Sequence, residues 1–261
     1  MTTLVEQSTW VLVVAWLLVG GGVAVAARWT LLRFVEPADR MGAAAIAGPL
    51  MPALGAAFAL LAALSLAGEA AAVRSAENDV SLEAAAASRL AWASTSPGVD
   101  SGPMQAALGD YLAATTANEW STTDQRGDET TLRALAALQA AVRDAAAADG
   151  LGSAQAGELL TSVGSLSSLR RERLAVAAHP LPGFYVAVVV VSGLALIVNS
   201  AALAVGARRR IALLTTGLVL VVSLAVALLF ALSAPFSGGF VVDDRPIAEV
   251  ASDLQQGLFE P

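Results

Sequence analysis

The sequence predicts an all-α membrane protein: a four-span transmembrane helical bundle with a helical extramembrane domain between spans 2 and 3. Composition is the first ground. Of 261 residues, 56% are apolar and only 14% charged, with a mean hydropathy of +0.67; soluble domains usually carry about a quarter charged residues. The second ground is four apolar runs, each long enough for a hydrocarbon core of about 30 Å. The third is that residues 73–182 hold no run of alternating β-branched residues, which leaves helices as the reading of that stretch.

The first span is expected at residues 10–27. It is interrupted only by Gly20-Gly21-Gly22, which a membrane helix tolerates because glycine lets neighbouring helices approach. Arg28, Trp29 and Arg33 close it with an aromatic-plus-arginine interface signature. The second span, 41–68, contains Pro49 and Pro52 and reads as a kinked or part re-entrant start followed by a clean helix from Leu54. The third and fourth spans, 184–205 and 211–233, form a tight hairpin across Gly206–Arg210. Domain boundaries are thus expected at 1–72, 73–182, 183–234 and 235–261.

Within the inserted domain, one helix continues from Glu69 to about Ser94. A second runs from about Pro103 to Trp120 with Ser101 as its cap. A third opens near Asp128, carries Leu132, Leu135, Leu138 and Val142 on one side, and stops at Gly150. A fourth covers Ser153 to His179, with Leu159, Val163, Leu166 and Leu169/Arg170 at helical spacing. In the tail, Asp243-Asp244-Arg245-Pro246 predicts a last helix presenting Ile247, Val250, Leu254 and Leu258 on one face. That helix is expected to pack back on the domain or on a neighbouring subunit.

The same composition excludes several chemistries. There is no cysteine, hence no disulfide, thiolate nucleophile or cysteine-ligated metal. The one histidine, His179, precedes Pro180 at a helix end and reads as a helix-end residue. No phosphate loop, G-x-S-x-G or H-E-x-x-H is present, so no enzyme, cofactor or metal is expected. A net charge of −7 argues against nucleic acid. All 15 basic residues are arginine, the bias of a GC-rich bacterial genome. Glu6 and the lack of a basic residue before the first run argue against a cleaved signal peptide. Orientation is divided: Arg28, Arg33, Arg40 and Arg208–Arg210 crowd the short loops. Arg74, Arg89, Arg170, Arg171, Arg173 and Arg245 balance them on the other face.

Several stretches together resemble a family. They are Phe58-Ala-Leu-Leu-Ala-Ala-Leu leading to Glu69 and Val80-Ser-Leu-Glu83; Leu108-Gly-Asp-Tyr111-Leu and Asn118-Glu119-Trp120; Arg170-Arg171-Glu172-Arg173-Leu174; and Pro235-Phe236-Ser237-Gly238-Gly239. With two spans, a helical domain, two spans and a tail, the chain resembles a bacterial family of bestrophin-like membrane proteins over about residues 45–256, the first span lying outside. The family's acidic residue before the tail proline is replaced here by Ser233 and Ala234. Bestrophins are pentameric anion channels with a cytosolic helical domain. The resemblance therefore implies a similar architecture, an oligomeric anion channel in the bacterial inner (cell) membrane. A non-catalytic accessory or scaffold subunit of a larger membrane complex is the competing reading.

For a pore, Leu54, Phe58, Leu61 and Ser65 fall at i, i+4, i+7 and i+11 and could ring a hydrophobic constriction; the same stripe also suits packing within one subunit. Glu69 reads as a solvated interface carboxylate, and Asn199, deep in the third span, as an interhelical hydrogen bond. Arg170, Arg171 and Arg173 read as interface anchors that attract anions or lipid headgroups. The tail motif, residues 235–239, reads as a turn redirecting the chain onto the domain, with Phe236 or Phe240 as anchor. Ser200 and Ser223 read as structural hydroxyls. The partners expected are the lipid bilayer and either further copies of the chain or a larger complex.

Overall fold

The computed structural model describes residues 2–36, 40–120, 127–177, 183–205, 209–232, 236 and 242–259. Among them there are helices and no strand. In chain order they are α1 (Thr2–Phe34), α2 (Arg40–Ser94), α3 (Ser101–Ala114), a π-helical turn (Thr115–Glu119), α4 (Glu129–Ala146), α5 (Ser153–Ala177), α6 (Gly183–Val205), α7 (Arg209–Leu232) and α8 (Arg245–Gln255). Two compact units emerge, residues 1–71 with 180–234, and residues 72–179 with 235–261.

Among the described residues, four helices are long and apolar enough to cross a membrane, at Val13–Phe34, Ala45–Ser94, Gly183–Val205 and Thr215–Leu232. The second is more than twice the ~20 residues a bilayer needs. Its helix runs unbroken through Pro49 and Pro52, so the expected re-entrant start does not occur. A proline without its N–H leaves one helical bond unmade, and the bonds on either side hold the helix through both.

In the membrane unit, α1 packs on α6 and α7, and α6 on α7. Small residues make these approaches close. Gly20 lies so near Ser223 that a Cβ there would overlap the Ser223 hydroxyl, and a Cβ on Gly193 would meet Val222 at 2.9 Å and the Phe58 ring at 3.2 Å. Trp16 stacks on Phe230 with ring centroids 5.1 Å apart. Asn199 donates to the Ala47 carbonyl at 3.0 Å, the interhelical bond its sequence position predicts. Ser200 returns its hydroxyl to Ile197 O.

In the helical unit, the inner face of α2 from Ala76 to Ala93 packs with α3, α4, α5 and α8 around one apolar core. Three expectations shift here. Asp100, not Ser101, occupies the cap position of α3, because the helix already includes Ser101. Leu132 is 41% exposed, since the buried face of α4 runs Thr131, Leu135, Leu138, Val142, one residue earlier. Leu258 is 61% exposed, because α8 ends at Gln255 and only Ile247 and Val250 are fully buried from that helix. Asp128 does cap α4, accepting from Thr130 N at 2.8 Å and Thr131 N at 3.1 Å. Those bonds, Thr131's first, hold its carboxyl below the usual carboxylate range.

Candidate functional site

A group of charged side chains lies inside the helical unit, where charge is ordinarily absent. Glu83 comes from α2, Tyr111 from α3, Glu119 from the π-helical turn, and Arg170 and Arg173 from α5; all five are buried. Arg173 Nε donates to Glu83 Oε2 at 2.6 Å, and its Nη2 donates to Glu119 Oε2 at 2.9 Å. Arg170 donates to the same Glu119 through Nε at 3.2 Å and through Nη2. The Tyr111 hydroxyl donates to Glu83 Oε1 at 2.5 Å. Asp128 closes the set, its backbone N–H donating to Glu119 Oε1 at 3.0 Å.

Two carboxylates face two guanidiniums, so the cluster carries no net charge. That balance is what makes its burial tolerable: isolated buried charges cost several kcal/mol each, whereas paired and fully hydrogen-bonded ones offset that cost. Burial opposes the Arg173 charge, but the Glu83 carboxylate outweighs it, and the guanidinium pKa rises. Burial first, and Glu83 second, push the Tyr111 phenol well above its ordinary value, so it stays a neutral donor.

The local backbone serves this arrangement. The chain changes from α to π geometry at Thr115, and π turns are rare and cluster at functional positions. The turn delivers Glu119 to the arginines and sets Trp120 beside them. The Thr115 side chain is fully buried in this turn, beside the Tyr111 phenol. Gly127 follows with φ +70, and a Cβ there would overlap Glu119 Oε1 and sit 2.5 Å from Arg170 Nη2. Only glycine satisfies both the dihedral and the space.

Aromatic contacts extend the cluster to the tail. The Arg173 guanidinium lies 5.4 Å from the Trp120 ring centroid, within cation–π range. Trp120 Nε1 donates to Val242 O at 2.7 Å, and the Phe236 ring meets Trp120 edge-on at 5.8 Å. Phe236 is the one described residue of the tail motif and is buried; Pro235, Ser237, Gly238 and Gly239, with Phe240 and His179, lie outside the described residues.

The other sequence candidates fall elsewhere. Phe58 is 5% exposed, seated against Gly193 in the core of its own membrane unit, and Leu54 and Leu61 pack partly against that core. Ser65 is half-buried. Ser223 is buried with no hydrogen-bond partner. Arg170 and Arg173 are not interface anchors; only Arg171 of the three is exposed. The missed signal was in the sequence: Leu159, Val163, Leu166, Arg170 and Arg173 continue one apolar stripe, and an arginine on such a stripe must have buried partners. Among the described residues, no group of three or more His, Cys, Asp and Glu could hold a metal.

Four apolar helices with a helical unit define the chain as a multi-pass helical membrane protein. It matches the Bestrophin-like domain over residues 21–247 and belongs to the bestrophin-like family. That match begins inside α1, so the resemblance reaches further toward the N-terminus than the motifs implied. No curated protein and no solved structure matches the chain. The buried cluster is assembled from the stretches that carry the family resemblance: those containing Glu83, Tyr111, Glu119-Trp120, Arg170 to Leu174, and Phe236.

Proposed function

We propose that this chain is a subunit of an oligomeric, anion-conducting membrane protein of the bacterial cell membrane, non-catalytic and without a cofactor. The observation that supports the reading is the family match across residues 21–247, which takes in apolar helices and helical unit together. A pore lined by Leu54, Phe58, Leu61 and Ser65 requires Phe58 to leave its seat on Gly193. The α2 face bearing Leu60 and Leu64, 63% and 64% exposed, is free of that requirement and is the better candidate to face an axis between copies.

The test is flux from liposomes carrying the purified protein, with particle symmetry measured in detergent. A symmetric homo-oligomer that passes chloride, altered by Leu60→Ala or Leu64→Ala, supports the channel. A purified oligomer with no anion flux overturns it. The second reading, an accessory or scaffold subunit of a larger complex, rests on the same open α2 face meeting other chains. It predicts a single copy per assembly.

A further inference from the structure

Glu119 is held as a receptor holds an anion. Four donors converge on its carboxylate: Nε and Nη2 of Arg170, Nη2 of Arg173 and the Asp128 backbone N–H. They come from two separate segments, α5 and the start of α4. None depends on the backbone that carries Glu119. Guanidinium forks match planar carboxylates in two-point geometry.

The backbone that does carry Glu119 is the weak member. It lies in the π-helical turn, a rare backbone geometry. Returning this segment to α geometry would rotate Glu119 by roughly 100° about the helix axis, withdrawing its carboxylate. Arg173 would keep Glu83, but Arg170 would be left buried without a counter-charge. Such a charge is not tolerated, so departure of Glu119 requires that one other monovalent anion enter.

We propose that Arg170, Arg173 and the Asp128 N–H form a receptor for a small free monocarboxylate, occupied in this structure by the protein's own Glu119. Exchange between tethered and free carboxylate is then coupled to the geometry of the Thr115–Glu119 turn. The inference does not rest on anion conduction, and its test needs none.

The experiment is thermal unfolding of the full-length chain in detergent, titrated with formate and, at matched ionic strength, with chloride. Glu119→Ala is expected to lower the midpoint, and formate to restore it saturably where chloride does not. Wild type should show the same saturable response, read from fluorescence of Trp120 by difference with Trp120→Phe. It should require about tenfold or more formate, because the tethered carboxylate competes. Equal effects of formate and chloride on the alanine variant overturn the proposal. So does a response in that variant with wild type silent, which would make Glu119 a fixed partner. If Glu119→Ala cannot be purified even with formate present, the isosteric Glu119→Gln replaces it. Stabilisation of that variant by formate beyond chloride supports the receptor, and equality, or failure of both variants to fold, refutes it.

Discussion

Tyr111 and Glu83 are joined by a 2.5 Å hydrogen bond between α3 and α2, the phenol donating to the carboxylate that Arg173 also holds. Removing the hydroxyl takes one donor from a buried anion without opening a large void. Tyr111→Phe should therefore destabilise the helical unit by about 1.5–3 kcal/mol, the usual range for a hydrogen bond to a charged group, measured by chemical unfolding.

The same bond gives a pH dependence. The phenol pKa is raised in the folded protein, by burial and then by Glu83, so the folded state retains a proton the unfolded state releases. This stability is fully present below the ordinary phenol value of about 10. It is lost as pH rises from there toward the folded value. The alkaline loss should be visibly shallower in Tyr111→Phe, and an unchanged slope would show that another group governs it.

Arg173 bridges both carboxylates, so its removal leaves two buried anions to Arg170 and Tyr111. Arg173→Met should cost about 3–5 kcal/mol, the range for breaking one side of a buried pair. Combining it with Glu83→Gln should cost clearly less than the two single changes summed. Additive losses in that double-mutant cycle would mean the pair is not coupled.

Gly127→Ala has two faults, a backbone at φ +70 and a Cβ overlapping Glu119 Oε1. The substitution should displace Glu119 and cost more than the ~1 kcal/mol expected of the dihedral alone. Comparison with Gly150→Ala, at φ +95 with open space around it, separates the two: similar losses would dismiss the overlap.

Asp128 adds an acid limit. Its carboxyl is lowered by the Thr131 and Thr130 N–H groups, so its capping contribution is present above the ordinary carboxylate value of about 4. It fades as pH falls through the folded value. Protection factors at the first-turn amides of α4, taken relative to the intrinsic exchange rate at each pH, should fall on acidification in wild type and be low at every pH in Asp128→Ala.

What the sequence revealed and what it hid follow from distance along the chain. The spans were legible because hydropathy is a local sum, and Asp128 and Asn199 because capping and membrane polarity are local rules. Leu132 and Leu258 were misplaced by one residue of helical phase and by an early helix end. Arg170 and Arg173 were misread because their partners Glu119 and Glu83 lie 51 and 90 residues away. Glu119 itself depends on a π turn that no spacing rule anticipates. Chemistry that lives in long-range pairing is visible in sequence only as an anomaly, here arginines on an apolar stripe.

The tail closure of Trp120 also sets an order of events during synthesis. Glu83, Tyr111, Glu119 and both arginines leave the ribosome before α6 and α7, whereas Phe236 and the Val242 carbonyl, which cover and bind the indole, emerge only after them. The helical unit is completed last, by residues made after the final apolar helix, so a nascent chain stalled at that helix would present Trp120 without its cover.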